Sequence, residues 1–228
     1  MRLKNFWFAY INLEQMSVSI KVHKRSDLHL LRKLWHMGVG LIGVAFYLIS
    51  RISADKLAIA LLALAAMAII IDILRINNQK VQRASLLIMA PFMRKSELRS
   101  ITGLPFYAVG VALSLIFFSE KIAILSILFL IFADPISSYV GIRFGKDKFL
   151  PNKSLQGSLA GFFVCALITL IFALIIGNAS PYLIFFALLA GLVGSISEMM
   201  SFLIDDNLTI PVISGLGLTL LNHIFAIF

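Results

Sequence analysis

Apolar residues fall along this chain in long runs, separated by short segments that hold most of the charges. A helix needs about 17–25 apolar residues to cross a bilayer, so runs of that length predict membrane spans. Seven runs are candidates, at positions 34–50, 57–74, 104–119, 122–142, 158–177, 182–204 and 210–228. The third is short and the fourth contains Asp134 and Pro135, so we expect tilted or broken helices there. The pattern predicts an all-α, polytopic membrane helix bundle of about seven transmembrane helices.

The composition supports a membrane protein. Hydrophobic residues make up 60% of the 228 residues and charged residues 14%, whereas soluble domains are about 45–50% apolar and about 25% charged. The formal net charge of +9 does not indicate a nucleic-acid partner, because the cations lie between the apolar runs. Cys165 is the single cysteine, which excludes an intramolecular disulfide and a cysteine-based metal site.

The first 31 residues do not follow the pattern of a signal peptide. Their apolar stretch at positions 6–11 is interrupted by Asn12 and Glu14, and no small-residue cleavage site follows. We therefore expect residues 1–31 to form an interfacial N-terminal extension and residues 32–228 to form the membrane-embedded domain.

The distribution of charge predicts the orientation of the bundle. With the N-terminus inside, 17 of the 20 Lys and Arg residues fall in inner segments, which the positive-inside rule favours. Of the eleven carboxylates, only Asp55 and Glu120 fall outside. Because the rule does not require acids to follow bases, we expect one polar site, built from several helix ends at the cytoplasmic face.

The fourth run ends in the segment that is most informative about chemistry. A carboxylate and a proline, Asp134 and Pro135, are tolerated at membrane depth where they line a polar cavity. The start of the next run brings four candidate phosphate ligands: Lys153, Ser154, Gly157 and Ser158. Asp134 could hold Mg²⁺ while the start of this helix cradles phosphates. The alternative is a membrane-edge Asp paired with a snorkelling Lys.

Further carboxylates lie at the end of the sixth run, namely Glu198 within it and Asp205 and Asp206 just after it. Adjacent carboxylates repel each other, so they favour a bound cation or a raised pKa. With Asp134, this pair predicts a magnesium site of oxygen ligands. The alternative is a solvated acidic turn at the start of the last helix.

Cations at the inner ends are candidate ligands for phosphate or for lipid head groups. Arg32, Lys33 and His36 share one face of the first helix. Further candidates follow at Arg94, Lys95, Arg143 and Lys146. For the first group, interfacial cations that merely obey the topology rule are the alternative. Asp72 and Arg75, three residues apart, form either a structural salt bridge or a catalytic pair.

The order of these segments resembles the dolichol kinase, phytol kinase and CTP-dependent diacylglycerol kinase family, including its short bacterial polyprenol-kinase-like members. The likeness is carried by residues 32–36, 72–75, 94–97, 134–158 and 198–211. It implies transfer of the γ-phosphate of a nucleotide, usually CTP, to the hydroxyl of a membrane isoprenoid alcohol or diacylglycerol. One position departs from the family pattern, because Gln156 stands where an acidic residue is expected.

On this interpretation, a bacterial cytoplasmic membrane holds the enzyme, with its active site facing the cytoplasm. We assign catalytic roles to Asp134, Glu198 and Lys153, and Mg²⁺ to Asp134, Asp205 and Asp206. The remaining cations and small residues named above would bind the nucleotide phosphates. Either Glu198 or Asp134 would accept the proton of the lipid hydroxyl.

Two other functions remain open. One is a cytidylyltransferase that forms a CDP-lipid, which would also be membrane-bound, basic and Mg²⁺-dependent. The other is a small-solute transporter. Clustering of the acids at one membrane face rather than at the midplane argues against a transporter.

Overall fold

Eight α-helices account for most of the computed structural model, which describes residues 30–150, 153–201 and 204–228. They are α1 (Leu30–Ser50), α2 (Ala54–Asn77), α3 (Gln79–Met89), α4 (Gly103–Phe117), α5 (Glu120–Phe144), α6 (Leu155–Ile175), α7 (Leu183–Met200) and α8 (Asp206–Phe225). Two 3₁₀ turns follow α3, at Ala90–Phe92 and Lys95–Arg99. A small antiparallel hairpin, β1 (Lys148–Leu150) and β2 (Lys153–Ser154), precedes α6. The predicted all-α membrane bundle is confirmed, and the predicted extension lies outside the described residues apart from Leu30 and Leu31.

The prediction of about seven spans needs one correction. All seven apolar runs form helices, but six of the described helices are long and apolar enough to cross a membrane. The exception is α4, whose 15 residues extend about 22 Å, less than the hydrocarbon thickness of about 30 Å. Thr102 and Gly103 at its start are buried, so α4 begins inside the protein rather than at the membrane surface.

The central helix is α5, which packs against α1, α4, α6 and α8. Apolar side chains between Ile122 and Ala133 fill its buried surface. Helices α1 and α2 bury far less of themselves and expose large apolar side chains such as Ile49 and Ile59. In a bilayer such a surface contacts lipid without cost, because lipid tails are as apolar as these side chains.

Successive helices alternate in direction, and this alternation collects polar residues at one end of the bundle. Helices α1, α4, α6 and α8 begin at this end, whereas α2, α5 and α7 finish there, as the ion pairs Arg32–Glu97 and Lys153–Glu198 demonstrate. We call it the polar end. The connection between α3 and α4 and the β1–β2 hairpin also lie here.

A buried ion pair anchors the connection between α3 and α4. Arg75 Nε donates to Asp72 Oδ1 at 2.7 Å, and both residues are about 1% exposed. The second oxygen of Asp72 accepts from the backbone and hydroxyl of Thr102, and Arg75 also donates to the Ser100 carbonyl. Both charged groups are thereby hydrogen-bonded within the protein, so the structure favours a structural role for this pair over a catalytic one.

Helices α5 and α6 approach closely where both carry glycine. An alanine Cβ at Gly157 would lie 2.8 Å from the Ser137 carbonyl oxygen and 3.2 Å from the Gly141 Cα, both backbone atoms of α5. One turn later, a Cβ at Gly161 would meet the Ser137 Cβ at 3.4 Å, an ordinary contact. Gly157 therefore sets the separation of these helices beside the hairpin.

We expect Gly157→Ala to lower the thermal stability of the detergent-purified protein, and Gly161→Ala to leave it unchanged or slightly raised. Alanine is favoured over glycine inside a helix by about 1 kcal/mol, but overpacking against rigid backbone costs about 1–3 kcal/mol. Unfolding temperatures of the two variants provide the test. A Gly157→Ala protein at least as stable as Gly161→Ala would contradict the close approach.

Candidate functional site

Two adjoining cavities open at the polar end. The larger has a volume of about 200 Å³ and is lined by Arg94, Asp134, Ser137, Ser138, Gly141, Ile142, Gly145, Lys148, Lys153, Ser154, Gly157, Ser158, Glu198 and Asp206. The smaller has a volume of about 40 Å³ and is lined by Arg32, Lys33, His36, Arg94, Asp134, Pro135, Ser138, Ile142, Asp206 and Asn207. Five residues line both cavities and form the wall between them: Arg94, Asp134, Ser138, Ile142 and Asp206.

An ion pair between Lys153 and Glu198 lies on one side of the larger cavity and joins β2 to the end of α7. The two side chains are 11% and 6% exposed, so the charges are largely desolvated and need each other. Lys153 contacts only one oxygen of Glu198. The other oxygen, Oε2, and the hydroxyl of Ser158 have no hydrogen-bond partner among the described residues.

The start of α6 supplies backbone donors to the same cavity. Ser154 caps the helix by accepting a hydrogen bond from the Gly157 amide at 3.3 Å. The first amides of a helix carry partial positive charge, and Gly157 and Ser158 of this first turn line the cavity. This arrangement suits an anion such as a phosphate.

Gln156 has a structural task in the hairpin. Its amide oxygen accepts hydrogen bonds from the backbone of Lys146 at 3.1 Å and of Asp147 at 3.4 Å. Its amide nitrogen donates to the Asp147 carboxylate at 2.7 Å. A carboxylate at this position could accept but not donate, and Gln156 does not line either cavity. Gln156 in place of the expected acid therefore affects the hydrogen bonds around the hairpin and not the linings of the cavities.

In the smaller cavity, α1 is fastened by Arg32. Its guanidinium binds both oxygens of Glu97, at 2.8 and 2.9 Å, and donates to the Phe92 carbonyl at 2.8 Å. Glu97 also accepts from the Arg94 backbone amide at 2.8 Å. The Arg32 guanidinium is thus engaged in contacts within the protein. Through Glu97, these contacts position Arg94 between the two cavities.

Two more side chains of α1 reach α5 beside its internal proline. Lys33 Nζ donates to the Ser138 hydroxyl at 2.9 Å and to the Pro135 carbonyl at 3.3 Å. His36 Nε2 lies 3.1 Å from the Leu130 carbonyl, which can only accept, so Nε2 carries the proton. These contacts attach a lipid-exposed helix to the centre of the bundle.

The wall between the cavities carries charge of both signs. Arg94 Nη2 lies 3.9 Å from Asp206 Oδ2. The carboxylate of Asp134 accepts no hydrogen bond from the described residues. Asp206, then His36, Lys153 and Arg94, are close enough to act on it electrostatically. Because Asp134 lines both cavities, its carboxylate is available to ligands in either one.

Asp205 directly precedes Asp206 in the chain and caps α8. Its Oδ1 accepts from the Asn207 backbone at 3.1 Å and from the Asn207 side chain at 2.7 Å. Burial and then the neighbouring Asp206 raise the pKa of Asp205 to about 7. Asp205 is therefore a helix cap that titrates near neutrality, and it does not line either cavity.

The structure brings most predicted site residues together and leaves four apart. Those that line a cavity are Arg32, Lys33, His36, Arg94, Asp134, Lys153, Ser154, Gly157, Ser158, Glu198 and Asp206. Arg143, Lys146 and Lys95 are exposed and lie outside both linings. Asp205 also lies outside both linings but is half-buried. The Arg143 guanidinium lies 5.8 Å from the Phe144 ring, on a face of α5 turned away from the cavities.

Sequence reasoning missed Lys148 and Ser138. Lys148 reaches the larger cavity because β1 pairs with β2, with Lys148 opposite Ser154. The turn-forming residues Pro151 and Asn152 between two short segments were the available signal for a hairpin. Ser138 follows Asp134 by four residues, so it shares a helical face with that carboxylate.

The donor set fits Mg²⁺ only in part. Within residues 30–150, 153–201 and 204–228, no three His, Cys, Asp or Glu side chains cluster closely enough to hold a metal ion. Asp134 and Asp206 line the same cavity, and Mg²⁺ is usually bound by one or two carboxylates together with substrate phosphates. The larger cavity's charged side chains, three carboxylates and three cations, balance. A triphosphate there needs further positive charge, which Mg²⁺ would provide.

Comparison with known proteins identifies related sequences. The model of the cytidylyltransferase family matches residues 14–204. CTP-dependent diacylglycerol kinase 1 of Schizosaccharomyces pombe is 35% identical over 156 residues, 63% of this chain and 71% of the relative. The Saccharomyces cerevisiae protein of the same name is 28% identical over 205 residues, which are 81% of this chain and 70% of that relative. An uncharacterised Rickettsia prowazekii protein is 27% identical, over 85% of this chain and 94% of its own. No solved structure matches.

We expect Asp205→Asn to become more stable relative to the wild type as pH rises from 5 to 8. The pKa of Asp205 is about 7 in the fold, raised from its ordinary value of 3.8, so between these values the folded protein binds more protons than the unfolded chain. Stability therefore falls as pH rises through this window. Asparagine keeps the accepting oxygen but does not titrate. Unfolding temperatures of both proteins in detergent measure the effect, and a difference independent of pH would contradict it.

Proposed function

Because the chain belongs to the cytidylyltransferase family, we propose that it is a CTP-dependent kinase of membrane lipid alcohols, with residues 32–228 as its kinase domain. Relatives named as CTP-dependent diacylglycerol kinases support both the nucleotide and the class of acceptor. The observation that carries the proposal is the position of Asp134. It lines two adjoining polar cavities, one with the features of a phosphate site and one bounded by a lipid-exposed helix.

The larger cavity is the proposed site of the CTP phosphates. Lys148 and Arg94 supply positive charge, and the start of α6 supplies backbone donors. Lys153 is the third cation, held in place by Glu198. Phosphoryl transfer depends mainly on positioning and charge neutralisation, so these groups are the catalytic elements expected of such an enzyme.

Magnesium is part of the proposal. Asp134 and Asp206 would hold the ion together with phosphate oxygens, since both carboxylates face the larger cavity. When bound, it supplies the positive charge that the balanced lining lacks. Asp205, which the sequence also suggested as a ligand, caps α8 through Oδ1 and does not line either cavity, so we leave it out of the proposed ligand set.

The smaller cavity is the proposed site of the lipid hydroxyl. Lys33 and His36 border it from α1, whose outer surface is apolar and exposed, so a lipid can reach it from the bilayer. The hydroxyl oxygen attacks the γ-phosphorus in line, the bond from that phosphorus to the β–γ bridging oxygen breaks, and CDP leaves. Asp134 accepts the hydroxyl proton. Diacylglycerol and isoprenoid alcohols both present such a hydroxyl.

The polar end would face the cytoplasm of a bacterium. The bias of 17 of 20 Lys and Arg residues toward that side supports this orientation. Similarity to the Rickettsia prowazekii protein over 94% of its length supports a bacterial setting.

A second candidate function is formation of a CDP-lipid, which the name of the matching family favours. Such an enzyme joins the α-phosphorus of CTP to a lipid phosphate and releases pyrophosphate. The kinase instead transfers the γ-phosphate and releases CDP. The two reactions therefore differ in the phosphorus atom that reaches the lipid.

Asp134→Asn should reduce transfer of phosphate from CTP to diacylglycerol or an isoprenoid alcohol by at least about 100-fold. The amide cannot take up the proton and is a poorer ligand for Mg²⁺. The assay uses detergent-purified protein and CTP labelled in the γ-phosphate. Asp55→Asn is the matched control, because Asp55 is exposed at the opposite end of α2. Wild-type rates from a folded Asp134→Asn protein would refute the assignment.

A further inference from the structure

Two buried polar atoms in the larger cavity are left without partners by the fold. Among the described residues, three buried side-chain atoms lack a hydrogen bond: Tyr107 Oη, Ser158 Oγ and Glu198 Oε2. Ser158 and Glu198, which are 6% and 5% exposed, both line the larger cavity. A buried polar atom without a partner is destabilising, and a charged one more so. These two atoms therefore have the character of a binding subsite.

Glu198 and Ser158 each make hydrogen bonds through other atoms, but these two atoms make none with the described residues. Lys153 satisfies only Oε1 of Glu198. The carbonyl of Ser158 accepts from the Ser195 hydroxyl at 3.1 Å, which leaves the Ser158 hydroxyl itself unused. The subsite thus offers one acceptor, a carboxylate oxygen, and one hydroxyl that can donate or accept.

The chemistry of this pair excludes most parts of a nucleotide as its ligand. A carboxylate oxygen repels phosphate oxygens unless a cation lies between them, and the Lys153 ammonium bound to the same carboxylate disfavours a second cation at Glu198. Glu198 Oε2 therefore does not face the phosphate chain. Unlike Asp134 and Asp206, Glu198 lines only the larger cavity. The ligand must bring an N–H or O–H donor, which in a nucleoside triphosphate belongs to the base or the ribose.

We propose that Glu198 and Ser158 recognise the cytosine base, an inference that rests on the proposed use of CTP. Cytosine carries an exocyclic amine beside the N3 acceptor, and carboxylates are known partners of that amine. Glu198 Oε2 accepts from the amine while the Ser158 hydroxyl donates to N3. Uracil has a carbonyl in place of the amine, so the carboxylate meets an acceptor and UTP is disfavoured.

Glu198 is accordingly a specificity-determining residue, held in position by Lys153. A good two-point contact with a base changes discrimination by about 1–3 kcal/mol, or about 5- to 150-fold in affinity. The Ser158 hydroxyl can also accept from the N3–H of uracil, so it contributes to the affinity for both nucleotides. Of these two residues, Glu198 is therefore the one that discriminates between CTP and UTP.

The test is competitive binding of CTP, UTP and deoxy-CTP to full-length protein in detergent with Mg²⁺ and without lipid alcohol. The wild type should bind CTP at least about 5-fold more tightly than UTP. In Glu198→Gln, the amide oxygen still accepts from Lys153, while the amide nitrogen presents a donor that suits the uracil carbonyl. The CTP preference should fall by at least about 10-fold or reverse, whereas Ser158→Ala should weaken both nucleotides alike.

Two controls keep the outcomes distinct. Asp55→Asn, the same change from carboxylate to amide at an exposed residue outside both linings, should keep the wild-type preference. If Glu198→Gln does not fold, Glu198→Asp should weaken CTP without strengthening UTP, since the shorter carboxylate keeps its charge but loses its reach. An unchanged preference in the folded variant, or an effect on deoxy-CTP alone, overturns the base assignment. Absence of any nucleotide binding by the wild type would instead overturn the proposed function.

Discussion

Buried charges at the polar end can persist only in pairs, and this requirement assembles the site. An isolated charge in a low-dielectric interior costs several kcal/mol, whereas a paired and hydrogen-bonded one is tolerated. Glu97 with Arg32 joins α1 to the connection before α4, and Glu198 with Lys153 joins α7 to the hairpin. Arg94 with Asp206 then brings that connection to the start of α8. Each pair connects segments that are distant in sequence.

Most buried charges at the polar end are paired, so the polar groups that lack a partner are informative. Asp134, Glu198 Oε2 and the Ser158 hydroxyl keep binding capacity that the described residues do not use, and all three belong to the larger cavity. The balanced charge of that cavity is suited to a polyanion that arrives with its own cation. Two adjoining cavities that share the carboxylates of Asp134 and Asp206 also suit a reaction between a water-soluble donor and a lipid acceptor.

The sequence predicts much of this arrangement, because charges within apolar runs are rare and costly. Asp134, Glu198 and Lys153 stand out on that ground, and their convergence follows from alternating helix directions. Details that depend on tertiary contacts are not predictable in this way. The depth at which α4 begins depends on the buried Thr102, and the position of Lys148 depends on hairpin pairing. Arg143 and Lys146 have the right charge, but the geometry of α5 and the hairpin turns them away from the cavities.

The most direct measurement follows two phosphorus atoms of one nucleotide. Purified protein, Mg²⁺ and a lipid alcohol are supplied with CTP that carries distinguishable labels in its α- and γ-phosphates. A kinase built around Asp134 places the γ label on the lipid and leaves the α label in CDP. The α label on a lipid, accompanied by release of pyrophosphate, would contradict this account.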